Sequence, residues 1–265
     1  RAQGVDVVNF GVGEPDFPTP ANIGAKGIEA IQTGFTKYTP SAGIPDLRKA
    51  IVAKFKRENG LEYTVGQTMA CVGAKQALFL ALQVLVGPGD EVVIPGPYWV
   101  SYTEMAKLCD ATPVFVETSQ DEDFKLTPAR LRAACTPRSK ALLLNYPNNP
   151  TGCSYTREEL KAIAEVCLEL GIFIVSDEVY EHLIYDGGKH TSVASLSPEI
   201  YNITVTTNGV SKAYAMTGWR LGYAAGPQDI ISAMIRIQEH MNTNTSSITQ
   251  YAAVEALNGP QETVH

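Results

Sequence analysis

Short apolar runs recur along the chain and are separated by polar stretches and turns. Apolar runs of this length, bounded by turn residues, are typical of buried strands. They cover residues 69–72, 91–94, 112–116, 141–145, 172–177, 203–207 and 221–225. The pattern therefore predicts a sheet of seven strands.

Some of the stretches between these runs carry clear helix signals, and they cover residues 44–59, 74–86 and 156–170. The first has Pro45 in its first turn, where proline is tolerated. The second is followed by Gly87, and glycine is common just after a helix end. The third begins with Thr156 and has Glu159 three residues later, which is the pattern of a capping box. Strands that alternate with helices predict a mainly parallel sheet covered on both faces, which is a three-layer α/β/α fold.

Residues 1–40 have a different composition from the rest of the chain. Glycine, proline and aspartate are frequent there, especially in residues 11–20. We expect residues 1–40 to form an extended arm and loop rather than part of the core. A dinucleotide-binding fingerprint is excluded, because Glu14 and Pro15 follow Gly13 where the phosphate turn and helix should begin.

Charge and cysteine content narrow the class of protein. The formal net charge is −7, and there are no runs of Lys or Arg, which argues against nucleic acid or an anionic membrane as the partner. The five cysteines are widely spaced and form no C-x-x-C pair, which argues against a disulfide framework or a zinc site. We therefore expect no metal and a reducing compartment: the cytoplasm, or the plastid stroma if the source is a plant.

Ligands of parallel sheets bind beyond the carboxyl ends of the strands, so the candidate residues are those that end predicted strands. Asp177 ends the run 172–177. A carboxylate buried there is costly unless it meets a cation, and the protonated pyridine nitrogen of a cofactor would be such a partner. The alternative is that Asp177 caps a following helix.

Lys212 lies beyond the run 203–207, after Ser211 and before small and apolar residues. An amine in such surroundings has a lowered pKa and is nucleophilic toward an aldehyde. The alternative is a solvated loop lysine. Arg220 lies eight residues further on, and its guanidinium group suits a phosphate dianion, although it also suits an ordinary ion pair.

Several other residues at predicted strand ends suit a cofactor. Gly73-Ala74-Lys75 lies where a strand turns into a helix, and free N–H groups at a helix start bind phosphate. Asn149 follows the run 141–145 and suits a phenolate oxygen. Tyr180 lies about one helical turn beyond Asp177, and Trp99 suits stacking on an aromatic ring. The structural alternatives are ordinary turns and core aromatic residues.

As a whole, the chain resembles the class I and II aminotransferases, which are fold-type-I enzymes that use pyridoxal 5'-phosphate (PLP). Within them it is most similar to the bacterial and plastid branch of aspartate and aspartate/prephenate aminotransferases. The motifs occur in family order over almost the whole chain, and the ordered set is specific although each motif alone is modest. They are Gly13-Glu-Pro-Asp-Phe17, Lys37-Tyr-Thr-Pro40, Ala42-Gly-Ile-Pro-Asp46, Gly73-Ala-Lys-Gln-Ala77, Pro88-Gly-Asp-Glu-Val92, Pro97-Tyr-Trp-Val-Ser-Tyr102, Pro147-Asn-Asn-Pro-Thr-Gly152, Ser176-Asp-Glu-Val-Tyr180 and Ser211-Lys-Ala-Tyr-Ala-Met-Thr-Gly-Trp-Arg-Leu-Gly222.

The resemblance implies a role for each matching residue. The implied catalytic residues are Lys212, which forms the Schiff base and carries protons, Asp177, which pairs with the pyridine nitrogen, and Tyr180. The other implied cofactor ligands are Gly73, Ala74, Lys75, Ser211 and Arg220 near the phosphate, Asn149 with Tyr180 at the phenolate oxygen, Trp99 on the ring, and Tyr38 at the phosphate of the partner subunit. The implied substrate contacts are Gly13, Trp99 and Asn149. One departure is Gly209, where many relatives have a phosphate-binding serine.

The resemblance also implies a domain organisation and a reaction. Residues 41–265 would form the PLP-binding large domain, and residues 1–40 would contribute to the active site and the small domain. Most of the small domain, with the arginine that binds the substrate α-carboxylate, would lie outside this chain. The expected reaction is transamination between aspartate or glutamate and 2-oxoglutarate or oxaloacetate, in a homodimer with a shared active site. Several alternatives stay open: prephenate, alanine or aromatic 2-oxo acids as substrates, a lyase or cyclising enzyme of the same fold, and a non-catalytic PLP-sensing regulatory domain.

Overall fold

The chain folds around one seven-stranded sheet in the computed structural model, which describes residues 4, 6, 11 and 13–264. The strands are β1 (Thr68–Cys71), β2 (Glu91–Pro95), β3 (Thr112–Val116), β4 (Ser139–Asn145), β5 (Phe173–Asp177), β6 (Thr204–Gly209) and β7 (Gly222–Ala225). Their order across the sheet is β1-β7-β6-β5-β4-β2-β3. Strand β7 runs antiparallel to both of its neighbours, and the other pairings are parallel. The predicted α/β fold with a mainly parallel sheet is confirmed.

Helices lie on both faces of this sheet. In the described part of the chain they are α1 (Ala21–Gln32), α2 (Pro45–Asn59), α3 (Gly73–Leu85), α4 (Ser101–Leu108), α5 (Pro128–Ala134), α6 (Arg157–Leu170), α7 (Pro198–Tyr201), α8 (Gln228–Met241) and α9 (Ser247–Asn258). The predicted capping box of α6 is present: the Glu159 N–H donates to Thr156 Oγ1 at 3.2 Å, and the Thr156 N–H donates to Glu159 Oε2 at 2.7 Å. None of the helices in the described ranges is long and apolar enough to cross a bilayer.

Strand β4 shows how the sheet divides the core. Successive side chains of a strand point to opposite faces. Leu143 accordingly packs in the cluster that contains Leu78 of α3, whereas Leu142 and Leu144 pack in the cluster that contains Ile163 of α6. A continuous apolar run is therefore needed here, because both faces of the strand are buried.

The expectation of an arm and loop over residues 1–40 is wrong for residues 21–32, which form α1. Its residues Ile23 and Ala30 are buried, and the helix packs against α9. Gly27 faces the Trp219 ring so closely that an added Cβ would lie 2.7 Å from it. The apolar spacing of α1 suits a helix, but the surface that stabilises the helix lies more than 200 residues later in the chain. The glycine and proline content of the neighbouring residues obscured this pattern.

The carboxyl ends of the central strands meet at one edge of the sheet. Asn145 of β4 lies in register with Asp177 of β5, which in turn lies in register with Thr207 of β6. Strand β6 continues to Gly209, two residues beyond the predicted run, so the segment between its end and Lys212 is short. This edge positions the site described next.

Candidate active site

A cavity of about 330 Å³ opens at this edge of the sheet. Most of the predicted site residues line it: Gly13, Ala74, Lys75, Trp99, Asn149, Asp177, Tyr180, Ser211, Lys212 and Arg220. They come from segments that are distant in the chain, so the fold rather than local sequence brings them together.

Asp177 is the buried acid of the cavity, at the carboxyl end of β5. The Tyr102 hydroxyl donates to its Oδ2 at 2.7 Å, and the Val179 N–H donates to its Oδ1 at 3.3 Å. Burial raises the pKa of Asp177 to about 6, although the hydrogen bond from Tyr102 lowers it. No lysine, arginine or histidine in the described ranges forms an ion pair with this carboxylate. The segment after Asp177 is a turn rather than a helix, so the helix-cap alternative is not realised.

Lys212 lies in the segment after β6, and its side chain is half-buried. Its ammonium group donates to the carbonyl oxygen of Gly13 and lies 5.7 Å from the centroid of the Tyr180 ring. Burial lowers the pKa of Lys212, and Arg220 lowers it further, whereas Glu14 and Asp177 raise it. The net lowering favours the neutral amine, which is the form that attacks a carbonyl carbon.

The start of α3 and Arg220 lie together in one corner of the cavity. Gly73 and Arg220 both have left-handed backbone conformations, with φ of 77° and 56°. An added Cβ on Gly73 would lie 2.7 Å from Arg220 Nη2, and one on Gly222 would lie 2.1 Å from the backbone nitrogen of Ala74. Glycine at these positions lets the guanidinium group and β7 approach the helix start closely. Free N–H groups of a first helical turn, together with a guanidinium group, suit a phosphate.

Aromatic side chains form the walls between these groups. The Lys75 ammonium lies 4.6 Å from the centroid of the Trp99 ring. The Asn149 side-chain amide donates to the Tyr180 hydroxyl at 3.4 Å, and its backbone N–H donates to Asn145 Oδ1 at 2.8 Å. Burial raises the pKa of Tyr180, so its hydroxyl stays protonated and can donate a hydrogen bond.

Two predicted cofactor residues do not line the cavity. Gly73 lies against Arg220 and shapes the corner without facing the open space. The Tyr38 side chain is 89% exposed, so its contact with a partner subunit stays a prediction.

Sequence reasoning missed three polar residues that line the cavity: Glu14, Tyr102 and Thr217. Glu14 and Thr217 are hydrogen-bonded to each other across about 200 positions of the chain, and no local pattern signals such a pair. Tyr102 had a usable signal, since it lies three residues after Trp99 at the start of α4, just as Tyr180 lies three residues after Asp177.

The model of the family described as aminotransferase class I and II matches residues 5–265. The chain belongs to this family. It is 55% identical, over its whole length, to an aspartate aminotransferase of Geobacillus stearothermophilus, of which it covers 67%. It is 53% identical over 98% of its length to an aspartate/prephenate aminotransferase of Cereibacter sphaeroides, of which it covers 66%.

A solved structure gives the same result. The chain superposes on an aspartate aminotransferase from Thermus thermophilus with maleate at a TM-score of 0.95 and 48% identity, over 99% of this chain and 68% of that one. The chain thus spans about two thirds of the length of its relatives. Family membership confirms the predicted enzyme class and PLP as its cofactor, and it favours the enzyme over the PLP-sensing regulatory domain.

The residues present fit PLP. Asp177 is a buried carboxylate that lacks a cationic partner in the described structure, which suits a protonated ring nitrogen. Arg220 and the start of α3 suit the phosphate, and Lys212 offers an amine with a lowered pKa to the aldehyde. The ring nitrogen, the phosphate and the aldehyde of PLP each have a chemically matched group in one cavity.

Proposed function

We propose that this chain is the PLP-binding part of an aminotransferase that moves the amino group between aspartate or glutamate and a 2-oxo acid. The observation that carries the proposal is the convergence of Lys212, Asp177 and Arg220 on one cavity of about 330 Å³. PLP, when bound, supplies the electron sink that makes an amino acid's Cα–H bond acidic.

Lys212 has two tasks in this proposal. Its neutral amine is the group that would hold the cofactor at the aldehyde carbon, and the same nitrogen would take the proton from the substrate's Cα. A general base works best when its pKa lies near the working pH, and burial moves the pKa of Lys212 in that direction. The Gly13 carbonyl oxygen accepts a hydrogen bond from the same nitrogen and holds it within the cavity.

Asp177 would keep a proton on the ring nitrogen. As the anion it would pair with a protonated nitrogen, and its burial would keep water from weakening that pair. Tyr180 and Asn149 would donate hydrogen bonds to the cofactor's phenolate oxygen, and Trp99 would cover the ring. Arg220 would hold the phosphate together with the start of α3.

The proposed substrates are dicarboxylic acids. The names of the relatives include aspartate, and the Thermus thermophilus structure is described with maleate, which is a dicarboxylate. A second carboxylate needs a cation, and Lys75 is a candidate because its ammonium group faces the cavity beside Trp99. We predicted Lys75 as a phosphate ligand, and both roles are compatible with its place at the start of α3.

We further propose a homodimer and a cytoplasmic location. The exposure of Tyr38 supports the dimer. Tyr38 matches the residue that, in the family, binds the cofactor phosphate of the partner subunit, and its side chain lies outside the cavity of its own chain. The bacterial sources of the relatives support the cytoplasm.

The test is a comparison of the purified protein with its Lys212→Ala variant. We expect the unmodified protein to take up PLP with a visible absorption band, and borohydride to fix one PLP on Lys212, as mass spectrometry of peptides would show. Added glutamate should move the band to that of pyridoxamine phosphate. An equal amount of fixed PLP on Lys212→Ala, or a band that glutamate leaves unchanged, would refute the proposal.

A further inference from the structure

Tyr102 donates a hydrogen bond to the buried acid of the cavity, and the roles given above leave it unused. It lies in the first turn of α4, and its side chain is only 2% exposed. Its hydroxyl donates to Asp177 Oδ2 at 2.7 Å, a normal length for a hydrogen bond between a hydroxyl and a carboxylate. The bond joins two buried groups that lie 75 positions apart in the chain.

The remaining support for the Asp177 side chain is weaker. In the described structure, the other donor to the carboxylate is the Val179 N–H at 3.3 Å, which is long for a bond to a charged oxygen. A buried carboxylate without donors takes up a proton, and a protonated Asp177 cannot attract a protonated ring nitrogen. Tyr102 is therefore the strong donor that favours the anion.

Tyr102 is well suited to donate and unsuited to compete for the proton. Burial and the adjacent Asp177 raise the pKa of Tyr102 far above its ordinary value, so the phenol stays protonated at any working pH. The same ring packs edge-on against Trp99, with centroids 5.4 Å apart and planes at 87°. This contact restricts the ring and hence the position of the hydroxyl.

We propose that Tyr102 is a positioning residue that holds the Asp177 carboxylate in one orientation and as the anion, ready to pair with the cofactor's ring nitrogen. The inference deepens the proposed function and rests on it for the identity of the cation. Tyr102 acts through Asp177 and does not itself contact the substrate.

The test variant is Tyr102→Phe, which removes the hydroxyl and keeps the ring. Its matched control is Tyr98→Phe on the preceding turn, because Tyr98 stacks on Phe115 and does not line the cavity. The dissociation constant of PLP is measured by fluorescence from pH 5 to pH 9 on protein stripped of cofactor. We expect Tyr102→Phe to weaken PLP binding at pH 7 by about tenfold or more, the usual effect of one hydrogen bond to a charged group. The pH below which PLP affinity falls should also move upward in Tyr102→Phe. Tyr98→Phe should change neither the affinity at pH 7 nor this pH.

A second measurement does not depend on PLP. In protein without cofactor, the pH range over which thermal stability changes through Asp177 should also move upward in Tyr102→Phe. If the unmodified protein fails to bind PLP, the proposed function fails, while this measurement still tests the link between Tyr102 and Asp177. An unchanged pH range in both measurements overturns the inference, and so does a loss of affinity that is equal at every pH.

Two further variants keep the inference testable if Tyr102→Phe does not fold. A 3,5-difluorotyrosine at position 102 keeps the ring and the hydroxyl but is a stronger hydrogen-bond donor. The pH range over which stability changes through Asp177 should therefore move downward. In an Asp177→Asn background, fluorination should have no effect, because the group that it acts on is gone. An effect of the same size in that background would contradict the inference.

Discussion

Asp177 and Glu181 lie four residues apart, and both carboxylates are buried, yet their surroundings are opposite. Glu181 forms an ion pair with the buried Lys54 and accepts hydrogen bonds from the side chains of Asn59 at 2.8 Å and Asn208 at 2.6 Å. Burial alone would raise its pKa, but Lys54 and the neighbouring histidines hold the pKa of Glu181 below its ordinary value. Asp177 forms no such ion pair with any residue that the structure describes, and its pKa is raised to about 6.

The difference is between a carboxylate that is paired with a cation of the same chain and one that, in our proposal, pairs with a ligand. Glu181 carries its counter-charge within the chain and links α2 to the sheet through Lys54. Asp177 faces a cavity, and the chain leaves its charge to be balanced by something else. An unbalanced buried charge is costly to the folded protein, and such groups persist where binding or catalysis uses them.

The largest expected effect is the loss of stability when Glu181 loses its cation. Lys54→Met should lower the free energy of unfolding by about 3–5 kcal/mol, because it leaves a buried carboxylate without its cation. Urea unfolding of the protein without cofactor measures this change. The control is Lys49→Met, whose exposed pair with Asp46 should contribute less than about 1 kcal/mol. Equal effects of the two substitutions would remove the contrast between buried and surface pairs.

Asp177→Asn should lower activity strongly and leave the fold intact. We expect transamination to fall by about 10²–10³-fold, because a neutral amide no longer stabilises a protonated ring nitrogen. The fold should be retained, since no ion pair is broken. Asp110→Asn, at an exposed position, is the control and should leave turnover unchanged. An Asp177→Asn protein with full turnover would show that the reaction does not need the charge of Asp177.

The pH dependence of stability sharpens the same contrast. The folded protein binds the Asp177 proton more tightly than the unfolded chain does, because burial raises its pKa from 3.8 to about 6. The stability that this provides is complete below pH 3.8 and is lost as the pH rises to about 6. The loss amounts to about 3 kcal/mol by linkage. It should appear as the difference between unmodified protein and Asp177→Asn in unfolding without cofactor, and a difference that does not vary with pH would contradict the assignment.

The smallest expected effect concerns a neutral partner of Glu181. Asn59→Ala removes one donor to Glu181 and one acceptor from Lys54 but leaves the ion pair in place. We expect a loss of about 1 kcal/mol in thermal or urea unfolding. Asn258→Ala, at the exposed end of α9, is the control. A loss as large as that of Lys54→Met would mean that hydrogen bonds, rather than the cation, stabilise this carboxylate.

The sequence was most informative where signals are local or where a strand ends in a chemically unusual residue. The capping box of Thr156 and Glu159 involves residues three apart, and both of its hydrogen bonds are present. Asp177 and Lys212 stood out because polar groups at the ends of buried strands need a partner. Helix α1 was missed, since the surface of α9 that buries it is remote in the chain.

Local sequence alone determined the seven strands, helices α2, α3 and α6, and the residue types that a PLP site requires. Their chemistry can be recognised in a linear motif because it belongs to single side chains and short spacings. Only the tertiary structure decided that Glu181 is paired with a cation and that Asp177 is not paired with one among the described residues. Lys54 pairs with Glu181 and Tyr102 donates to Asp177, and both come from helices that are distant in the chain. Whether a buried carboxylate meets a cation or only a neutral donor therefore depends on how these helices pack.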